Sequence, residues 1–312
     1  MRLVFAGTPA VAATALEHLF ASGHEVIAVI TRPDAPAGRG RSLAQSPVRV
    51  LAQARGVPVL APSSPREPGL EQALRELRPD CCPVVAYGGL LPESLLRIPE
   101  FGWVNLHFSL LPAWRGAAPV QWAILRGDEV TGACTFRIGP GLDDGPVFGC
   151  VTEAIRPSDT SADLLERLAD AGSGLLLHTL DAIEAGTAIA VPQPADGISQ
   201  APRLTVDDAR VRWAEPLMAV DRRIRATTPS PGAWTTSAGE RVKVLPLRAP
   251  VDPAPGNLLP GQVLLHRGGA WVGTGTQPAL LGEVQPQGRR VMAASDWIRG
   301  LRDREPAFSV EP

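Results

Sequence analysis

The sequence predicts an α/β fold, a doubly wound and mostly parallel sheet, followed by a smaller C-terminal β-barrel domain. Three observations carry this expectation. Over the first two thirds of the 312 residues, short and nearly all-apolar runs alternate with amphipathic stretches. Strands that are apolar on both faces belong to parallel sheets covered by helices on both sides. A Pro- and Gly-rich segment without period then breaks the pattern, and beyond it short runs punctuated by Gly and Pro suggest a small antiparallel barrel.

Taken in order, residues 2–6 read as a strand. Residues 9–22 have helical spacing, with Thr8 as the N-cap and Gly23 as the stop. A second strand at 26–30 leads into the turn-rich stretch 32–40. Helices are expected at 47–55, 69–77 and 117–126, and strands at 57–60, 83–86 and 103–107. A strand pair follows at 135–138 and 147–155. Residues 161–185 form a long helix, because Leu164, Leu165, Leu168, Leu175, Leu176 and Leu180 fall on or near one face. The stretch 186–205 carries Pro192, Pro194, Gly197 and Pro202 and reads as a linker. A helical patch at 217–225 precedes short strands at 232–236, 241–247, 261–266, 270–273 and 279–284, a pattern that fits an oligonucleotide-binding (OB) type of barrel.

Composition narrows the function. Hydrophobic residues make up 45% and charged residues 20%, which excludes disorder as the main state. No apolar run approaches the roughly 20 residues that span a bilayer, so a cytoplasmic chain without membrane contact is expected. Cys81, Cys82, Cys134 and Cys150 lack Cys-x-x-Cys spacing and sit in strand-like runs; buried free thiols are expected, with no zinc site and no disulfide. The first strand ends in Gly7-Thr8-Pro9 without Gly-x-Gly-x-x-Gly, which disfavours a nicotinamide cofactor.

The densest polar cluster in an apolar setting is Asn105-Leu106-His107-Phe108-Ser109. Residues i and i+2 of a strand share a face, so the Asn105 amide and the His107 imidazole point together at the end of a buried strand. Ligands of open α/β sheets bind there, and two such donors on one face can both reach a developing oxyanion. A lone histidine at a strand end is more often a core or surface residue. Gly141-Leu142-Asp143-Asp144-Gly145, taken alone, is a hairpin turn.

Together these segments do more. The run from His107 through Ser109-Leu110-Leu111-Pro112-Ala113-Trp114-Arg115-Gly116 to Pro119, followed by Gly141 to Gly145, resembles the formyltetrahydrofolate-dependent formyltransferases. Phe5-Ala6-Gly7-Thr8-Pro9, Arg32-Pro33-Asp34, Gly38-Arg39-Gly40-Arg41, Val85-Ala86-Tyr87-Gly88 and Pro231-Gly232-Ala233-Trp234 extend the likeness over essentially the whole chain. Within the superfamily it is similar to the branch that formylates charged initiator tRNA.

The resemblance implies a Rossmann-like formyltransferase domain over 1–189, a linker over 190–204 and an OB-fold-like tRNA-binding domain over 205–312. It implies Asn105, His107 and Asp143 as the catalytic trio, 10-formyltetrahydrofolate as co-substrate, no metal, and initiator methionyl-tRNA as acceptor. Ser109, Leu110, Leu111 and Pro112 would contact the folate, with Ala86, Tyr87, Gly88 and Leu90 as the other wall. Arg32, Arg39 and Arg41 on the long loop, and Arg222, Arg225 and Lys243 in the second domain, would contact tRNA. Arg222, Arg223 and Arg225 cannot all face one side of a helix, so one of them has another role. Many relatives carry Thr or Ser at the position of Asp144 and an acidic residue at that of Pro146, which leaves the role of Asp144 open. An amino-sugar N-formyltransferase and a non-catalytic RNA-binding relative are the competing readings. Nothing in the sequence demands an oligomer, so a monomer is expected.

The net charge of −2 argues at first sight against RNA. Its distribution does not. From residue 205 onward there are 14 basic against 11 acidic residues, and 16 against 21 before it. Within the acidic part, residues 32–49 hold four arginines and one aspartate. Positive charge is concentrated on one loop and one domain, which fits modest, salt-sensitive binding of a substrate that must be released.

Overall fold

The computed structural model describes residues 1–37, 42–250, 253–301 and 307–310. The chain forms two compact units. The first comprises Met1–Pro119, Val130–Ala154 and Leu165–Pro202; the second comprises Val120–Glu129, Ile155–Leu164 and Arg203–Pro312. The long segments thus divide near the expected linker, while two short stretches, 120–129 and 155–164, group with the second unit.

As far as residue 184 the chain runs in strand–helix order: β1 (Arg2–Gly7), α1 (Ala10–Phe20), β2 (Glu25–Ile30), β3 (Ala35–Ala37), β4 (Ser42–Ala44), α2 (Pro47–Ala54), β5 (Val59–Leu60), α3 (Pro68–Leu77), β6 (Cys82–Val85), α4 (Glu93–Leu96), β7 (Trp103–His107), then α5 (Pro119–Arg126), which groups with the second unit, β8 (Val130–Arg137), β9 (Val147–Ala154) and α6 (Ser161–Glu184). Seven strands form one sheet in the order β5-β2-β1-β6-β7-β8-β9. The first five are parallel, and β8 and β9 run antiparallel at the edge. From β1 the chain winds outward to β2 and β5, then returns to β6 and winds the other way. The switch between β1 and β6 opens a crevice at the carboxyl ends of the strands.

Local sequence explains the elements. In β1, Leu3 to Ala6 are fully buried, as strands covered on both faces must be. Ser46 caps α2 by accepting the Arg49 N–H at 3.1 Å, and Pro47 takes the first helical position, where its missing N–H costs nothing. Thr8 is not the cap of α1: that place falls to Pro9, with no side-chain bond. Leu164, Leu168, Leu176 and Leu180 of α6 are fully buried, as their spacing predicts. The turn-rich 32–40 stretch contains order that composition hid, β3, which pairs antiparallel with β4. Arg39 and Arg41 lie outside the described residues.

One thiol expectation is corrected. Cys81 and Cys82 are free and buried, but Cys134 and Cys150 form a disulfide. They stand directly opposite each other in the β8–β9 pair, where facing side chains come within bonding reach. The strands were legible; the register that faces one cysteine to the other was not.

The second unit contains α7 (Leu217–Ala226), β10 (Trp234–Ser237), β11 (Glu240–Val244), β12 (Val263–His266), β13 (Gly269–Val272), β14 (Ala279–Leu281), β15 (Glu283–Pro286), β16 (Met292–Ala293) and α8 (Ala294–Gly300). Its strands make two antiparallel sheets, β10-β11-β15-β16 and β12-β13-β14. Val242, Val244 and Val284 from one sheet share a core with Val272 and Leu281 from the other, and with Trp213 and Ile224.

Candidate active site

A cavity of about 420 Å³, a usual size for a small-molecule site, lies at the carboxyl ends of β6 and β7. One wall is the turn after β6, where Ala86, Tyr87, Gly88 and Leu90 all line the space. Ala86 and Gly88 have positive φ (47° and 76°), so the chain folds tightly there. Tyr87 is buried, and burial raises its phenol pKa. Arg32 stands beside this turn: its guanidinium lies within 3.9 Å of where a Cβ on Gly88 would project.

The opposite wall carries the polar trio. Asn105 and His107 sit two apart on β7, and Asp143 comes from the loop between β8 and β9; all three line the cavity. His107 is 5% exposed, with its ring edge-on to Phe136 at 6.3 Å. The ring Nε2 bonds the Trp114 carbonyl at 2.9 Å. A carbonyl can only accept, so Nε2 carries the proton and Nδ1 of the neutral ring has the lone pair. Nδ1 faces Asp143 Oδ2 at 3.8 Å. That oxygen also accepts the Gly116 N–H at 2.8 Å. Burial drives the His107 pKa below its usual value, outweighing the Asp143 charge and the Trp114 carbonyl, which both favour the imidazolium. The resting histidine is therefore a neutral base with a carboxylate at hand.

Gly116 makes this approach possible. Its φ is +122°, and a Cβ there would lie 2.8 Å from the Ala201 carbonyl. The Asp144 carboxylate folds over Gly141, filling the place a side chain there would need.

The Ser109–Pro112 turn follows directly on Phe108, which lines the cavity with Gly116, Ala117, Gly141 and Leu142. Ser109 is fully buried, its hydroxyl donating to the Ala113 carbonyl at 2.6 Å, and Leu110 packs on Gly132.

Of the expected tRNA contacts in the second unit, Lys243 is exposed on β11, opposite Trp234 of β10. Arg222 lays its guanidinium on Gly127. Arg225 is buried, with Nε on Asp221 at 2.7 Å and Nη1 on the Asp159 carbonyl at 2.9 Å. It sits next to Ile224 on the buried face of α7, a position that charge pattern alone does not reveal.

Sequence reasoning missed Gln193 and Ser199. Gln193 donates to the carbonyls of Asp143 and Gly145 (2.8 and 2.9 Å) and accepts from Arg115; Ser199 accepts the Trp114 N–H at 2.8 Å. Both lie in the segment read as a linker, where nothing periodic marks them.

Residues 1–180 match the formyl transferase family, and residues 203–302 match the formyl transferase C-terminal domain. The methionyl-tRNA formyltransferase of Salinispora arenicola (strain CNS-205) is 61% identical over 302 residues, 97% of each chain. That of Streptomyces coelicolor (strain ATCC BAA-471 / A3(2) / M145) is 58% identical over 306 residues, 98% of each chain. Among solved structures, HypX from Aquifex aeolicus in complex with tetrahydrofolic acid shares the fold, with a TM-score of 0.69 at 17% identity, over 97% of this chain and 48% of HypX. The N-formyltransferase from Helicobacter canadensis, in complex with folinic acid and dTDP-3-aminofucose, shares it at a TM-score of 0.68 and 16% identity, over 91% and 98%. Matches this long and this close place the chain in the methionyl-tRNA formyltransferase family.

Proposed function

We propose that the protein transfers the formyl group of 10-formyltetrahydrofolate to the free amine of initiator methionyl-tRNA. The carrying observation is the neutral, buried His107 held between the Trp114 carbonyl and Asp143 on the wall of a small-molecule cavity. The cavity suits a flat, polar-edged ring: it combines Val84, Leu91 and Ile138 with the backbone of the Ala86–Gly88 turn.

In the transfer, a bond forms between the amine nitrogen and the formyl carbon, and the bond from that carbon to N10 breaks. The amine loses a proton and N10 gains one. His107 Nδ1 accepts the proton, because its lone pair faces the cavity side where Asp143 can balance the resulting charge. The imidazolium is then stabilised on both nitrogens, by Asp143 and by the Trp114 carbonyl. Asn105, on the same strand face, donates to the oxyanion that develops on the formyl oxygen.

The acceptor RNA meets the first unit through the loop bearing Arg32, Arg39 and Arg41. It meets the second through Lys243 and the neighbouring Trp234, whose ring carries the Arg241 guanidinium at 4.2 Å. Such basic and aromatic groups suit phosphates and unpaired bases. Catalysis over 1–189, a connection over 190–204 and RNA binding over 205–312 complete the reading. No described helix is long and apolar enough to cross a membrane. A cytoplasmic monomer fits this; light scattering should give about the 32.9 kDa of one chain.

A formyl-transfer assay tests the proposal, offering charged initiator tRNA, uncharged tRNA and an amino-sugar nucleotide in parallel. Product from the charged tRNA alone is expected. Product only from the sugar nucleotide would overturn the acceptor, and no product from any would revive a binding role.

A further inference from the structure

We propose that Gln193 is a positioning residue for catalysis, with Ser199 acting beside it. The proposal rests on the reading of His107 and Asp143 given above. Besides Ala86, two non-glycine residues of the site adopt the left-handed conformation, Trp114 (φ 58°) and Asp143 (φ 49°). Such backbones are strained and persist only where the surroundings hold them. Both are held by the same strap, residues 191–201.

Gln193 is the bracket. Its Oε1 accepts from Arg115 Nε and Nη2 at 3.1 and 2.7 Å, and its Nε2 donates to the carbonyls of Asp143 and Gly145 at 2.8 and 2.9 Å. Two acceptor sites and two N–H groups are all an amide has, so this one is saturated. It joins the loop that supplies Gly116 to the loop that supplies Asp143. Ser199 does the same for the histidine. Its hydroxyl accepts the Trp114 N–H at 2.8 Å, and the Trp114 carbonyl is the partner of His107 Nε2. The strap backbone adds a short ladder: Arg115 N–H to Ser199 O at 2.9 Å, and Ala201 N–H to Arg115 O at 2.7 Å.

The consequence is electrostatic. With the Asp143 carbonyl pinned by Gln193, its carboxylate stays on the Gly116 N–H and within 3.8 Å of His107 Nδ1. Releasing the carbonyl lets the loop relax toward an ordinary backbone and carries the carboxylate away. The imidazolium then loses its counter-charge, and the histidine pKa falls further. A misplacement of 1 Å in such a site can cost about 100-fold in rate.

The test compares the wild type with Gln193→Leu and Gln193→Glu, each alone and combined with Asp143→Asn, over a pH range. Leucine keeps the size and removes every hydrogen bond. Glutamate keeps the Arg115 pair and loses both donors, so it serves if the leucine variant does not fold. The expected result is a kcat lower by about 10- to 100-fold with nearly unchanged Michaelis constants. The acid limb of kcat/KM moves to lower pH, and the Gln193 effect vanishes in the Asp143→Asn background. An unmoved acid limb, with losses that multiply across the two sites, would overturn the positioning role. Wild-type turnover by Asp143→Asn alone would instead overturn the catalytic reading beneath it.

Discussion

His107 Nδ1 and Asp143 Oδ2 stand 3.8 Å apart, close enough for charge to matter and too far for a direct hydrogen bond. The histidine keeps its lone pair because its proton is committed to the Trp114 carbonyl on the other side. The carboxylate keeps its place because Gly116 donates to it. The pair is a base waiting for a proton beside the charge that will stabilise it.

That arrangement fixes the pH dependence. Burial lowers the His107 pKa below 6.5, so the base is free at neutral pH. The acid limb of kcat/KM, which reports the free enzyme, should therefore fall at a pH below 6.5. A limb above 6.5, absent in His107→Asn, would contradict the assignment.

The same shift affects stability. As pH drops through 6.5, the unfolded chain binds a proton at this histidine and the folded chain does not. Stability from this group is complete above 6.5 and declines as pH falls, at most by about 1.4 kcal/mol per pH unit. His107→Asn should melt with a shallower loss between neutral and acidic pH. A melting temperature with the same acid slope in both proteins would count against a buried neutral histidine.

Asn105 is expected to act on the transition state. Asn105→Ala should lower kcat by about 100- to 1,000-fold, the usual cost of one oxyanion donor, with little change in substrate binding. Steady-state kinetics for both substrates decides; a raised Michaelis constant with unchanged kcat would make it a binding residue only.

Two basic residues of the second unit should separate. Lys243→Ala, on an exposed strand position, should weaken tRNA binding and reduce the salt slope by about one. Arg225→Met should instead destabilise the fold by about 1–3 kcal/mol, because the Asp159 carbonyl and Asp221 lose their partner, while tRNA affinity stays. Filter binding across salt, with thermal melts, checks both; the reverse pattern would contradict the placement.

What the sequence reveals here follows the range of its signals. Buried strands such as β1 and β7 are apolar throughout, and Asn105 and His107 are two residues apart, so local pattern is enough to read them. Gln193 is not legible: its partners at Asp143 and Gly145 lie about 50 residues away, and its own segment is irregular. Cys134 and Cys150 meet through strand register, which neither strand carries alone. Arg225 looks like any surface arginine until the packing of Val220 and Ile224 shows which face of α7 is inside. Ser109 to Pro112 is legible as a motif, while the bond that shapes its turn, from Ser109 to the Ala113 carbonyl, is not.

Single-turnover transfer of a labelled formyl group from 10-formyltetrahydrofolate to methionyl-tRNA, by the wild type and by His107→Asn, tests the central claim most directly. The account predicts labelled formylmethionyl-tRNA from the wild type. It predicts a loss of at least about 1,000-fold in His107→Asn, with folding and folate affinity retained. Transfer by His107→Asn at the wild-type rate would contradict it.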